Sequence, residues 1–219
     1  MSRAQHPVVL FDFDGTLANT IPLIVASFRH TVAEVLGTDL SETEARSWIG
    51  RTLVDTFGER YPAHADRMVR TYRDWSLTHH DELIRSIAGV PSVLDELVAV
   101  GSRLGVVSSK SEATVRRGLA AVGLHHDFAV VVGLEATTAH KPNPDPLLHA
   151  AAELGADPSD CVYVGDAVVD IHAALAAGMR PIGVTWGAGG REELLAAGGS
   201  AVVDTTEELL GILVPRLSA

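Results

Sequence analysis

Short apolar runs that alternate with helical patterns are the feature that most constrains the fold of this chain. Each run is brief, rich in β-forming residues and bounded by polar residues or glycine, which is typical of a strand buried on both faces. The runs cover residues 8–11, 104–107, 128–132, 161–164 and 181–184. Helical patterns lie between them, at about 93–100, 111–122, 144–154 and 171–177, and end close to Gly101, Gly123, Gly155 and Gly178. The alternation predicts an α/β fold with a doubly wound, Rossmann-like parallel sheet covered by helices on both faces.

The stretch from about residue 20 to residue 85 interrupts this alternation, because it contains no convincing strand. Apolar residues between 21 and 36 recur at helical spacing and predict one long helix. Ser41 followed by Glu44 has the pattern of a capping box, which opens a second helix, and a third helical segment covers about 63–79. An all-helical segment is therefore inserted soon after the first strand.

The expected organisation is an α/β core domain with a smaller helical domain inserted into it. Residues 1–18 and 86–219 form the core, and residues 19–85 form the insert. Near the end of the core, residues 191–218 indicate a helix, a short strand at 201–203 and a final helix. A chain of 219 residues with 47% apolar residues is large and apolar enough to bury such a core.

Charge and cysteine content narrow the possible partners and compartment. The formal net charge of −11 makes nucleic acid and anionic membrane surfaces poor partners, although a metal and a few local cations can still attract an anionic substrate. No apolar run approaches the roughly 18 residues of a membrane helix, and residues 1–7 contain no signal-type stretch. The single cysteine, Cys161, excludes an internal disulfide and is expected to be a buried small side chain. We expect a cytoplasmic protein and predict no nucleic-acid, membrane or protein partner.

Two carboxylates stand directly after the first predicted strand, at Asp12 and Asp14, and Gly15 follows them. Acids are costly to bury unpaired, and ligands of open parallel sheets bind beyond the carboxyl ends of the strands. The pair therefore suggests a metal site, with Gly15 allowing the backbone to turn close to a ligand. The alternative is a solvated turn rich in aspartate and glycine.

The second and third candidate motifs offer groups that suit a phosphate. Ser108 follows the strand at 104–107 and can donate to a phosphate oxygen, while the amides after it open a helix N-terminus. We group Ser109 with it, although ordinary helix capping by Ser109 or Ser111 is the alternative. Lys141 leads a proline-rich loop as a point charge, and its alternative is a surface lysine before a proline-started helix.

The fourth motif is a second pair of acids, Asp166 and Asp170, after the strand at 161–164. Their spacing places both on the same side of the first turn of a helix, where a hard divalent cation finds oxygen ligands. The alternative is charge balance at a helix N-terminus. Each motif alone has such an alternative, but no simple structural reason explains all four at neighbouring strand ends.

With these motifs the sequence resembles the haloacid dehalogenase superfamily across nearly its whole length. The family motifs match Asp12-Phe13-Asp14-Gly15-Thr16-Leu17, Ser108, Lys141 and Gly165-Asp166-x-x-x-Asp170, in the expected order. The resemblance implies that the helical insert is a C1 cap over the α/β core. It also implies a phosphohydrolase that depends on Mg2+ and acts on a small phosphorylated metabolite.

By this resemblance, Asp12 is the nucleophile and a magnesium ligand, and Asp14 is general acid and then base, with its backbone carbonyl on the metal. Asp166 is a further metal ligand, and Asp170 lies in the inner or outer coordination sphere. The family usually has Ser, Thr or Asn where this chain has Ala167, so that position offers no side-chain hydrogen bond.

The resemblance also assigns the phosphoryl group to Ser108 and Lys141, with Ser109 beside them. Within the superfamily the chain is most similar to the phosphoglycolate phosphatase branch, which includes inorganic pyrophosphatases; insert segments such as Thr71-Tyr72-Arg73 resemble the latter. Arg51 lies between helices of the insert and is a candidate for substrate selection, with an exposed surface arginine as the alternative.

Three other classes of protein share part of this pattern. A phospho-accepting receiver domain has an acidic pocket, a hydroxyl and a lysine, but does not explain Asp14 or the insert. A transport ATPase would need membrane segments. A non-catalytic binding homologue would be expected to lack at least one of four residues that are all present: Asp12, Asp14, Lys141 and Asp166.

Overall fold

The protein, analysed as a computed structural model, is described for residues 6–214 and contains one large and one small sheet. The strands are β1 (Val8–Phe11), β2 (Ala18–Asn19), β3 (Arg85–Ser86), β4 (Arg103–Val107), β5 (Val130–Val132), β6 (Cys161–Gly165), β7 (Arg180–Val184) and β8 (Ala201–Val203). The helices are α1 (Ile21–Leu36), α2 (Glu42–Arg46), α3 (Leu53–Arg60), α4 (Ala65–Leu83), α5 (Val90–Ala99), α6 (Glu112–Ala121), α7 (Asp145–Glu153), α8 (Val168–Ala176), α9 (Arg191–Ala196) and α10 (Thr206–Leu213). Short 3₁₀ turns cover Leu134–Ala136 and Pro158–Asp160.

The large sheet is parallel throughout and has the order β5-β4-β1-β6-β7-β8. Strand β1 is central, and its last residue, Phe11, lies opposite Val106 of β4 and Val164 of β6. Because the strands run in the same direction, the residues that follow β1, β4 and β6 meet at one edge of the sheet. This is the edge at which ligands bind in open α/β sheets.

Alternate residues of β1 pack into different layers, as a strand period of two requires. Val9 and Phe11 belong to a cluster with α5, α6 and α10 on one face, and Val8 and Leu10 belong to a cluster with α7 and α8 on the other. All four side chains are at most 1% exposed. Burial on both faces explains why β1 is a continuous apolar run, and it confirms the predicted doubly wound α/β fold.

Helices α1 to α4 lie between β2 and β3 in the chain and have an apolar cluster of their own. Phe28 of α1 packs edge-on against Trp48 and Phe57 and also contacts Tyr72 of α4, with ring centroids 4.8–5.8 Å apart. Strands β2 and β3 pair antiparallel, so the chain leaves for these helices and returns from them through adjacent segments. Among residues 6–214, none of the helices combines the length and apolar character needed to cross a membrane.

The five predicted strands and four intervening helices are present, with ends that differ by up to three residues from those expected. The glycines after those helices have φ between 59° and 88°. The prediction missed β2, β3 and α3, and the helix opened by Ser41 is only five residues long. In the tail, α9, β8 and α10 match the prediction, whose last residues, 215–218, lie outside the described part of the chain.

Candidate active site

Four buried charged residues meet at the carboxyl edge of the large sheet. Asp12 follows β1, and its N–H extends the ladder by donating to the Val164 carbonyl at 2.8 Å. Asp166 follows β6, Asp170 lies in the first turn of α8, and Lys141 comes from the loop between β5 and α7. Their exposed fractions are only 0–4%, although water solvates such groups strongly. Burying four charges together needs a chemical reason.

Three of the four residues are carboxylates that face one another. Asp12, Asp166 and Asp170 each place an oxygen within 4.8 Å of the others. Lys141 Nζ is the counter-charge: it donates to Asp170 Oδ1 at 2.7 Å and lies 3.1 Å from Asp12 Oδ1. The cluster brings together the first acid of the first motif, both acids of the fourth motif and the lysine of the third.

Tyr163 is a buried member of this cluster that sequence reasoning missed. Its hydroxyl accepts from Lys141 Nζ at 3.0 Å and donates to the carbonyl of Val107 at 2.9 Å. It therefore helps to hold Lys141 in place. The only sequence signal was a tyrosine inside an otherwise aliphatic strand, because a buried tyrosine needs a hydrogen-bond partner for its hydroxyl.

Burial and mutual repulsion raise the pKa values of two of the acids, Asp12 and Asp166. Desolvation, followed by the charges of Asp170 and Asp14, raises the pKa of Asp12 to about 7. Desolvation and the neighbouring carboxylates likewise raise the pKa of Asp166 well above its usual value. Burial alone would lower the pKa of Lys141, but the carboxylates of Asp12 and Asp170 raise it well above its ordinary value, so the ammonium stays charged.

The cluster fits a divalent metal ion by charge and by donor type. Three carboxylates against one ammonium leave a formal charge of −2, which one divalent cation neutralises. All the acidic groups offer oxygen, the donor that hard cations prefer. In addition, Asp12 Oδ1 is buried and accepts no hydrogen bond within residues 6–214, despite the nearby ammonium.

Backbone and hydroxyl groups fix the orientation of Asp166. Its Oδ2 accepts from the Ala188 N–H at 2.7 Å, and its Oδ1 accepts from the Thr16 hydroxyl at 3.3 Å. Gly15 has a φ of 72°, and a Cβ there would lie 2.2 Å from Asp166 Oδ2. A side chain at Gly15 would therefore displace the carboxylate, which explains the glycine in the first motif.

Asp170 is held by the backbone of the residue that departs from the family pattern. Its Oδ2 accepts from the Ala167 N–H at 3.0 Å, while its Oδ1 faces Lys141. Each oxygen of Asp170 therefore has a partner, even though Ala167 has no side-chain hydroxyl or amide.

The two serines of the second motif have different surroundings. Ser108 is 3% exposed, and its Oγ accepts from the Lys110 N–H at 3.2 Å. Its own proton has no acceptor among the described residues and is free for a ligand. Ser109 instead donates to the Gly50 carbonyl at 3.3 Å, which joins the core to the loop before α3. Phosphate binding by both serines stays a prediction.

Asp14 lies outside the buried cluster and is paired with Lys110. Lys110 Nζ contacts Asp14 Oδ1, and both side chains are about 15% exposed. The ammonium also lies 5.8 Å from the centre of the Phe13 ring. Lys110 is a further residue of the site that sequence reasoning missed.

A cavity of about 470 Å³ opens beside Asp12 and Asp14 and extends between the core and helices α1, α3 and α4. Arg51 lines it, but its two terminal guanidinium nitrogens, Nη1 and Nη2, donate to the Glu59 carboxylate at 2.8 and 2.6 Å. Arg73 also lines it, is exposed and has no salt bridge among residues 6–214. Aromatic and aliphatic side chains form much of the remaining wall.

Cys161 has no part in this site. It is buried in β6 and unpaired, and burial raises the pKa of its thiol to about 11. The expectation of a small buried side chain is confirmed.

The motif order and this geometry agree with a known family. The model of haloacid dehalogenase-like hydrolases matches residues 9–184. The chain belongs to this family. As a haloacid dehalogenase-like protein it is a hydrolase, and the receiver-like and non-catalytic alternatives are not favoured.

Named relatives and solved structures extend the family match. The chain is 37% identical over 213 residues to pyrophosphatase PpaX of Bacillus pumilus, covering 97% of this chain and 99% of that protein. It is 36% identical over 206 residues to pyrophosphatase PpaX of Listeria monocytogenes, covering 94% and 95%. A structure described as a predicted phosphatase from Clostridium acetobutylicum has a TM-score of 0.87 at 26% identity, covering 98% and 100%. One described as a predicted phosphoglycolate phosphatase from Haemophilus somnus has a TM-score of 0.83 at 26% identity, covering 96% and 99%.

Proposed function

We propose that the protein is a magnesium-dependent phosphohydrolase that passes the phosphoryl group of a small metabolite through the carboxylate of Asp12. The observation that carries the proposal is the state of Asp12 itself. Its carboxylate is buried, and one oxygen is free of hydrogen bonds in residues 6–214 although Lys141 Nζ lies 3.1 Å away. A nucleophile needs such a free oxygen, with a cation beside it to offset its repulsion by a phosphate dianion.

The surrounding residues suit the transfer of a phosphoryl group, which requires mainly positioning and charge neutralisation. Lys141, fixed by Asp170 and Tyr163, binds oxygens of the phosphoryl group during its transfer. The Ser108 hydroxyl, whose proton has no acceptor among the described residues, donates a hydrogen bond to another of these oxygens. In-line attack by Asp12 forms an aspartyl phosphate. Asp14 protonates the leaving oxygen and then takes a proton from the water that attacks the intermediate.

Asp12, Asp166, Asp170 and the backbone carbonyl of Asp14 are the groups we assign to Mg2+. When bound there, the ion neutralises the carboxylates and the incoming phosphate. Oxygen donors alone do not distinguish Mg2+ from other hard cations. The choice of Mg2+ therefore rests on the family resemblance.

We also propose that residues 19–85 act as a cap domain on a core formed by residues 1–18 and 86–219. The cavity lies between the two groups of residues, so movement of the helices would open it to substrate and then exclude bulk water. Arg51 lines the cavity from the cap side, and we propose that it recognises the leaving group of the substrate.

Names of relatives indicate two substrates, inorganic pyrophosphate and a phosphoglycolate-type monoester. The test is hydrolysis of a panel of phosphate esters and pyrophosphate with and without Mg2+. Acid quenching during turnover, followed by mass spectrometry, would locate phosphate on Asp12. Metal-independent turnover, or phosphate on another residue, would overturn the proposal.

A further inference from the structure

Lysine is rare in this protein and is confined to the candidate site. Of the 17 basic residues counted as lysine or arginine, only Lys110 and Lys141 are lysines. Lys141 contacts the proposed nucleophile, and Lys110 contacts Asp14, the proposed acid and base. The rest of the chain uses arginine for its positive charges. A compact ammonium is therefore kept at the two positions that adjoin the reacting carboxylates.

The backbone of Lys110 is fixed, so its side chain starts from a defined point. Its N–H donates to Ser108 Oγ at 3.2 Å, and its carbonyl accepts from the Leu134 N–H at 2.8 Å. The side chain reaches Asp14 past the face of Phe13, and Lys110 lines the same cavity as Asp12 and Asp14. Asp14 is its only ion-pair partner among residues 6–214.

We propose that Lys110 binds the leaving phosphate of a diphosphate substrate, while Lys141 binds the phosphoryl group that is transferred. The inference rests on the proposed function, because it takes Asp14 to be the group that meets the leaving oxygen. It assigns the protein a phosphoanhydride as its preferred substrate class.

The distance from Lys110 to the leaving oxygen supports assigning the two lysines to different phosphates. Asp14 must come within about 3 Å of the leaving oxygen to protonate it. Lys110 Nζ is in direct contact with Asp14, so two contacts in series place it within about 6 Å of that oxygen. Oxygens of a leaving phosphate extend into this range, whereas an uncharged alkyl group offers no acceptor there.

Lysine suits such a role better than arginine. An ammonium is a point charge with three donors that can turn from Asp14 to a phosphate oxygen without a change of backbone. A planar guanidinium would form a fixed, forked pair with the Asp14 carboxylate and would be harder to share with a substrate.

The test replaces Lys110 by methionine, which has similar bulk and no charge, and compares two substrates. For Lys110→Met we expect kcat/KM for pyrophosphate to fall about 10–100-fold, the range of one charge-assisted hydrogen bond. For ethyl phosphate, whose leaving group carries no charged oxygens, we expect a change of less than about threefold. A loss for ethyl phosphate as large as that for pyrophosphate would instead make Lys110 a positioning residue for Asp14 and overturn the assignment.

Ligand binding gives a second measurement that does not depend on turnover. In the presence of Mg2+, Lys110→Met should weaken the affinity for methylenediphosphonate about 10–100-fold, as measured by calorimetry. The affinity for inorganic phosphate should fall much less, because a single phosphate can bind beside Lys141 without Lys110. Lys110→Arg should bind methylenediphosphonate more tightly than the methionine variant does. Equal affinity of the wild type and Lys110→Met for methylenediphosphonate would overturn the assignment.

Arg116→Met is the matched control, because Arg116 lies on α6 six residues away, is exposed, and pairs with Glu112 outside the cavity. Arg116→Met also removes one positive charge, and it should leave kcat/KM unchanged for both pyrophosphate and ethyl phosphate. Thermal unfolding of each variant verifies the fold. If the wild type hydrolyses no phosphate compound, the proposed function fails; if it hydrolyses both substrates and Lys110→Met slows them equally, only the assignment of Lys110 fails.

Discussion

Replacing Asp12 by asparagine should stabilise the metal-free protein while it abolishes turnover. In the absence of a cation, Asp12 is a buried carboxylate beside Asp166 and Asp170, with Lys141 as the shared counter-charge. Its pKa is raised to about 7, mainly by burial. Asparagine has nearly the same shape without the charge, so the variant escapes the cost of ionisation at neutral and alkaline pH.

The sign and size of the effect follow from this pKa. Between pH about 4 and 7 the folded protein keeps a proton on Asp12 that the unfolded chain has released, so stability falls as pH rises through this window. The interval between 3.8 and about 7 corresponds to a ceiling of about 4 kcal/mol, at roughly 1.4 kcal/mol per pH unit. Relaxation and water entry reduce the cost, and we expect Asp12→Asn to gain about 2 kcal/mol at pH 8.

Urea unfolding in EDTA at pH 4 and pH 8 measures this difference. The wild type and Asp12→Asn should be similar at pH 4, and the variant should be more stable at pH 8. Asp74→Asn removes a charge from an exposed position of α4 and should show no such pH-dependent gain. A variant that is less stable than the wild type at pH 8, or a difference that is equal at both pH values, would refute the electrostatic account.

Three further predictions concern the reaction. Exhaustive chelation with EDTA should abolish hydrolysis, and added Mg2+ should restore activity and raise the melting temperature; full activity after chelation would contradict the metal assignment. Arg51→Ala should change the ranking of substrates in a panel while costing at most about 1 kcal/mol, because its partner Glu59 is 62% exposed; a uniform decrease for all substrates would argue against selection by Arg51. Asp14→Asn should slow the pre-steady-state burst about 10²–10⁴-fold for an alkyl ester and much less for pyrophosphate, whose leaving phosphate is a weaker base; equal slowing would remove Asp14 as the leaving-group acid.

The parts of the fold that follow from local patterns were predictable. Strand β1 is a continuous apolar run because it is buried on both faces, and the glycines that follow the core helices adopt the left-handed conformation. Proximity of Asp12 to Asp166 followed from the parallel sheet, which brings the ends of β1 and β6 to one edge. The pattern of apolar residues along the chain and the common direction of the strands were sufficient to predict these features.

Other features depend on partners distant in the sequence. Strands β2 and β3 have two residues each, too few to show a period, and exist through their mutual pairing. Helix α3 has eight residues, one of them a glycine, so its local helix propensity is weak. The sequence makes Arg51 a candidate for substrate selection, whereas in the structure Glu59, eight residues on in α3, accepts hydrogen bonds from its guanidinium. Likewise, nothing local to Lys110 shows that it meets Asp14.

The small ladder of β2 and β3 has a consequence for how this architecture can change over evolution. Asn19 and Arg85 are paired neighbours, so the residues between them form a loop that is already closed at its base. Lengthening a closed loop costs little chain entropy and places no strain on the register of β1 with β4 and β6. Helices beyond the ladder can therefore be exchanged or extended while the carboxylate cluster remains intact, and selectivity and chemistry can diverge at different rates within one chain.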